Sequence, residues 1–360
     1  MNKQNGDTAR YSSIDALRFF AAFFVVSIHA TFKGSFGEYF RAISNVAVPL
    51  FFIISGYFTF NSDSDILRQR SIKQIKRVAK ITVFAVVVHL IVNTASQLPQ
   101  GHFTTYISSI FSFRVLAILT VFNELPLEWH LWYLFAYMYT MIMYAIFSKR
   151  ITKAKTKTLL LFIFALLAVD AVFGKYAVIV LGRTIPLLCT RNFMFTGLPY
   201  FTLGFFIRRA SLTPPPPGYH RQVRSPSNAK LSLCVILFSS TSVLEKYCLS
   251  TAGVEGSGDY YISTTLLALS IFLLCAQNPD FAKDTLLERL GREHSLNIYI
   301  WHVLIARYVE QFVLHITATA PAFSVLTYIL PIIVFAITLL LSVIYKSIAA
   351  RVNARRQNNS

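Results

Sequence analysis

Ten separate stretches of this chain are each apolar over about the 20 residues that a helix needs to cross a hydrocarbon core. No other feature constrains the fold as much. The stretches run over 14–32, 43–60, 78–97, 129–148, 157–174, 193–208, 230–248, 259–276, 295–314 and 324–346. Backbone in lipid has no water to bond to, so each must close its hydrogen bonds within itself. The expected fold is therefore all-α, a polytopic membrane helical bundle of about ten transmembrane helices. Composition agrees: 55% of the 360 residues are hydrophobic and only 14% charged, with a mean hydropathy of +0.54, far from the mix of a soluble domain. The first stretch runs into polar KGSFGEYF instead of a small-residue cleavage site, so it is expected to stay as a span. One transmembrane domain over 1–350 is expected, interrupted by a cytoplasmic Pro-rich loop at 211–229 and ending in a cytoplasmic tail at 351–360.

The formal charge of +18 would suggest nucleic acid in a soluble protein. Here it reads as topology. Alternating the loops puts Lys3, Arg10, the runs Arg68–Lys80, Lys149–Lys157 and Arg208–Lys230, then Lys283, Arg289, Arg292 and Lys346–Arg356 on one side. Opposite them stand only Lys33, Arg41, Arg114, Lys175, Arg183 and Arg191. By the positive-inside rule both termini are cytoplasmic, membrane lipid is the standing partner, and nucleic acid is excluded. Ile and Leu at helical spacing among the bases of 62–80 suggest an amphipathic helix at the inner surface. The connection 98–128 suggests a re-entrant or interfacial helix. The four cysteines have no metal-type spacing, so no metal is expected; Cys189 and Cys248 both fall near the outer face, where a disulfide is conceivable.

Arg18 and His29 are eleven residues apart in the first stretch, about 16 Å of rise and almost three whole turns, so both project from one face. A lone arginine near a helix end can snorkel to the headgroups. A histidine this deep normally faces a bundle interior or a cavity. Glu128 and His130 open the fourth stretch at a comparable depth, and His302 lies near mid-membrane in the ninth. His89, in the third, reads as a structural or packing histidine. Arg191 and Asn192 open the sixth stretch outside, and Arg208 and Arg209 close it inside. Such an axis suits an anionic donor inside and an acceptor outside, since imidazole accepts protons near neutral pH and arginine holds phosphate through paired hydrogen bonds.

Four motifs in order, Arg18 with His29, VPLFFIISGYFTF, HLWYLFAY and LGREHSLNIYIWHVLI, resemble acyltransferase family 3, the integral membrane O-acyltransferases, over about 14–310. The chain is most similar to single-module members such as those acetylating enterobacterial common antigen, without an appended extracytoplasmic domain. The resemblance implies transfer of an acetyl group from cytoplasmic acetyl-CoA to a hydroxyl of a cell-surface polysaccharide (O-antigen, enterobacterial common antigen or exopolysaccharide) or its lipid-linked precursor, at the bacterial inner membrane. It implies that Arg18 and His29 are the essential pair, with His29 a general base or transient acyl carrier. Ser55, Gly56 and Tyr57 match the family's Ser-Gly-Tyr element, His130 and Trp132 its helix 4 motif, and His302 its late histidine. Many long members carry Ser-Val-Glu-Glu after that motif. Phe135, Ala136 and Tyr137 stand here instead, which leaves Glu128 as the nearest acid to orient a histidine.

Arg191, Asn192 and Trp132 are then candidate outer-side contacts for the sugar of the acceptor or for the developing oxyanion. For the donor phosphates, Arg68 and Arg70, with Lys73, Lys76 and Arg77 nearby, compete with Arg208 and Arg209. A transporter or flippase for a polar glycan or acyl substrate would use the same axis without acyl-transfer chemistry. The absence of a visible internal repeat speaks against it.

Overall fold

The computed structural model describes residues 10–98, 101, 103–110, 112–125, 128–212 and 226–358. Lys3, Pro126, Leu127, residues 213–225 of the Pro-rich loop and the last two residues of the tail lie outside the described residues. Every regular element among those described is helical: α1 (Ser12–His29), α2 (Ser35–Ser44), α3 (Ala47–Thr59), α4 (Ser64–Gln97), α5 (Phe103–Ile110), α6 (Phe113–Phe122), α7 (Trp132–Ile146), α8 (Ser148–Lys153), α9 (Thr156–Phe173), α10 (Ala177–Leu181), α11 (Leu198–Leu212), α12 (Asn228–Thr251), α13 (Ile262–Gln277), α14 (Leu286–Thr319), α15 (Val325–Tyr328) and α16 (Leu330–Asn358).

Among the described residues, six segments are long and apolar enough to cross a membrane: Ser12–His29, Ser35–Thr59, Ser64–Ser96, Thr156–Phe173, Asn228–Thr251 and Leu330–Val352. The other four expected stretches take different forms. The 129–148 stretch opens with a 3-10 turn before the 15 residues of α7, and 193–208 opens with a π-helical turn at Phe193–Gly197 before α11. The 259–276 stretch is the 16-residue α13, and 295–314 lies inside the 34-residue α14, whose first turns carry Glu288, Arg289, Arg292 and Glu293. The amphipathic segment at 62–80 is not a separate surface helix. With no proline or glycine between Ser64 and Gln97 it runs straight into the third stretch, and α4, at about 51 Å, exceeds a hydrocarbon core of about 30 Å. Asp63 caps its start, its carboxylate accepting from the N–H groups of Asp65 and Ile66. In 98–128 the described residues form the two short helices α5 and α6, the latter exposing Phe113, Leu116 and Val121. All four cysteines are free thiols, so Cys189 and Cys248 are not bridged; Cys189 is half-buried in a 3-10 turn and Cys248 exposed on α12.

The chain divides into two compact units. The first holds the residues up to Ala47, 226–237 and those from Leu267 on. In it α1 lies along α14, and both pack on α16. Gly291 makes that approach possible, because a Cβ there would strike the carbonyl of Asp15. The rings of Phe19 and Phe23 stand edge-on to Phe335 of α16 at 5.2 and 5.3 Å. Thr285 and Glu288 cap α14 reciprocally: Thr285 Oγ1 accepts from the Glu288 N–H, and Glu288 Oε2 from the Asp284 N–H.

The second unit holds Val48–Ser225 and Phe238–Leu266. In it α3 crosses α11 with backbones in contact, α4 packs on α7, and α9 on α11. The crossing is reciprocal. A Cβ on Gly56 would strike the carbonyl of Phe201, and one on Gly204 the carbonyl of Ile53, a small-residue approach typical of membrane helices. In the connection between α12 and α13, Glu255 accepts from Lys175, Lys246 and Tyr261 at 2.7–2.8 Å. Burial alone would raise its pKa, but these three donors outweigh burial and hold the carboxyl down at about 2.

Candidate active site

In the first unit, α1 runs as an uninterrupted apolar helix to His29. The chain then extends through Ala30 and turns at Gly34, whose φ of 75° is costly for any other residue. His29 is thereby held half-buried at the end of α1. Opposite it on α14 is His302, fully buried, with ring centroids 4.9 Å apart and planes tilted by 46°. The Nδ1 of His302 lies 2.7 Å from the carbonyl of Tyr299 and 3.0 Å from that of Ile298. Carbonyls only accept, so Nδ1 carries a proton. Arg18 stands at the other end of α1, half-exposed, donating to Asp15 at 2.5 Å. Asp15, a buried acid that ties it down, is a residue the sequence did not single out.

In the second unit, the 3-10 turn at Trp129–Leu131 carries Glu128 and His130 into buried positions beside α4. One oxygen of Glu128 accepts from Asn93 Nδ2. The other lies 3.1 Å from Nδ1 of His89 and 3.3 Å from Nδ1 of His130. Glu128 thus meets two histidines, and His89 belongs to the same buried polar cluster. His89 and Asn93 are four apart on α4 and share a face, the periodic signal by which the pair was open to detection.

Arg191 lies just before the π-turn that leads into α11, its guanidinium 5.2 and 5.8 Å from the rings of Trp129 and Trp132 and bonded to Glu124 at 3.0 Å. Asn192 holds local structure together. Its Oδ1 caps the π-turn by accepting from Met194 and Phe195, and its Nδ2 donates to the carbonyls of Leu188 and Cys189. Asn123, buried in the left-handed conformation at φ 51°, joins this turn to α7 by accepting from the Phe193 N–H at 2.7 Å and donating to the Trp132 carbonyl. On the same unit the Ser55 hydroxyl bonds back to Phe51, Gly56 sits in the α3–α11 crossing, and Tyr57 meets Arg208 through a 3.1 Å hydrogen bond. Arg209 donates to Ala154 and Arg70 to Phe60. Arg68 instead lines a cavity of about 680 Å³ with Asp65, Lys149 and Arg150.

These placements pair His29 with His302, Glu128 with His130, Trp132 with Arg191, and Tyr57 with Arg208. The family model described as an acyltransferase domain, that of acyltransferase family 3, matches residues 11–346. The chain belongs to acyltransferase family 3. No curated protein and no solved structure matches it. As a member of acyltransferase family 3 with six membrane-length apolar helices, it is a membrane acyltransferase.

Proposed function

We propose that the protein is an O-acetyltransferase of the bacterial cytoplasmic membrane, with about ten spans and both termini inside. It moves acetyl from cytoplasmic acetyl-CoA to a hydroxyl of a cell-surface polysaccharide, or of its lipid-linked precursor. The observation that carries this reading is the His29–His302 pair in a chain of acyltransferase family 3. The acceptor oxygen attacks the thioester carbonyl carbon while an imidazole nitrogen takes the hydroxyl proton. The C–S bond then breaks, and the imidazolium gives that proton to the leaving CoA thiolate. Alternatively His29 first attacks the thioester, CoA departs, and the acetyl-imidazole is discharged onto the hydroxyl. Mass spectrometry of acid-quenched protein separates the two, since only the second leaves acetyl on His29.

The thioester is already activated, so positioning, proton removal and stabilisation of the developing oxyanion suffice. Arg18 serves at the inner end of the route. Arg68 and Arg70, or Arg208 and Arg209, hold the donor phosphates, and Ser55, Gly56 and Tyr57 shape the helix beside them. Trp132 and Arg191 face the glycan. The test is mass spectrometry of surface glycans from cells carrying the gene, lacking it, or carrying His29→Ala. Acetyl esters present only with the intact gene are expected. Unchanged acetylation without the gene overturns the proposal, and unchanged acetylation with His29→Ala removes His29 from the mechanism.

A further inference from the structure

We infer that His89, Glu128 and His130 form a binding site for a divalent transition-metal ion, with zinc the ion that suits the donor set. The three side chains are buried, and one ligand-type atom of each lies within 4.8 Å of the other two. Two of the three spacings match those of a coordination shell, and the third pair, the two imidazole nitrogens, lies within 4.8 Å. Four ligands held at about 2.05 Å around a tetrahedral zinc stand about 3.3 Å apart, and the two imidazole nitrogens lie 3.1 and 3.3 Å from the same carboxylate oxygen. Two imidazoles and one carboxylate are a common catalytic zinc set, which leaves a further position open to water or a hydroxyl.

The surroundings fit as well. Asn93 donates to Glu128 Oε1, which leaves Oε2 as the oxygen facing both imidazoles. Outer hydrogen bonds of that kind orient the carboxylate ligands of metal sites. His89 comes from the C-terminal half of α4 and the other two ligands from the turn that opens α7, so an ion would fasten two packed helices together. The inference does not depend on the acyl-transfer reading, and its test does not use activity.

The full chain, purified in detergent with a tag that contains no histidine, is analysed for metals by mass spectrometry. About one equivalent of zinc per chain is expected, falling more than about ten-fold in His89→Ala and in Glu128→Gln and kept in His315→Ala. Because a buried substitution can unfold the protein, the wild type is also stripped with a chelator. Zinc should then restore a lowered thermal midpoint, and cobalt(II) should give visible d–d absorption at about one equivalent. A wild type without bound metal whose midpoint ignores zinc overturns the proposal and leaves a hydrogen-bonded acid–imidazole cluster. So does metal content that folded His89→Ala and Glu128→Gln retain.

Discussion

The imidazole rings of His29 and His302 lie 4.9 Å apart, one at the end of α1 and the other inside α14. His302 is the anchored member, with its Nδ1–H turned to two backbone carbonyls, and His29 is the more accessible one. The two should therefore respond differently to replacement. His29→Ala is expected to lower acetyl transfer by at least about 100-fold, the usual scale for losing a general base, while the apparent thermal midpoint stays near that of the wild type. His302→Ala should lose activity and also about 1–3 kcal/mol of stability, because it opens a cavity in the buried interior of α14's contact with α1. Assay of purified protein beside thermal unfolding checks both, and a normal rate for His29→Ala would remove it from the chemistry.

Donor binding can be assigned by charge. Arg68 and Arg150 line one cavity, whereas Arg208 is engaged with Tyr57. Arg68→Glu with Arg150→Glu should raise KM for acetyl-CoA roughly ten-fold, with little change in kcat and an effect that shrinks in salt. If instead only Arg208→Ala moves KM, the phosphates sit beside Tyr57.

Arg191→Lys keeps a cation for Glu124 but loses the flat guanidinium that faces Trp129 and Trp132. A stability loss of about 1 kcal/mol and a shift in tryptophan emission are expected. Emission unchanged from wild type would argue against the stacked arrangement.

Glu255 gives the protein an acid-sensitive brace. Its folded pKa, about 2, lies below the value of about 4.3 in an unfolded chain. A depressed carboxyl stabilises fully above the unfolded value, and that stabilisation is lost as pH falls through about 2. Roughly 2 kcal/mol should disappear over that window. Thermal midpoints of wild type measured from about pH 5 down to about pH 2 should converge on those of Glu255→Gln, which lacks this titration.

Gly56→Ala should cost about 1–3 kcal/mol, or prevent insertion of a stable protein, because the new methyl meets the Phe201 carbonyl instead of a movable side chain. Gly204→Ala should behave alike through Ile53. Detergent thermal scans would show it, and a neutral result for both would mean that α3 and α11 do not meet backbone to backbone at these glycines.

Much of this architecture is legible in the sequence because lipid leaves an apolar segment only one way to satisfy its backbone. The Arg18–His29 spacing is legible for the same reason: helix geometry fixes it within one element. The partner of His29 is not, since it is set by how α1 and α14 meet, and that depends on Gly291 admitting the Asp15 backbone. Glu128 can be singled out as an acid beside His130, yet its second histidine comes from α4, in a different segment altogether. Asn192 looks like a ligand for the glycan when read alone; only the π-turn that follows shows both ends of its amide already engaged. The merging of the basic surface segment with a span into α4 is written in the missing breakers between Ser64 and Gln97.

The glycine crossing of α3 and α11 has a mechanical meaning. Each helix presents a notch to the other's carbonyl, three residues away from its own protruding one. Sliding by one residue would drive a side chain into main chain, and rotating would uncouple both notches at once. The two helices therefore behave as a keyed joint, and any breathing of this unit that admits a donor must come from the elements around that joint, never from slip along it.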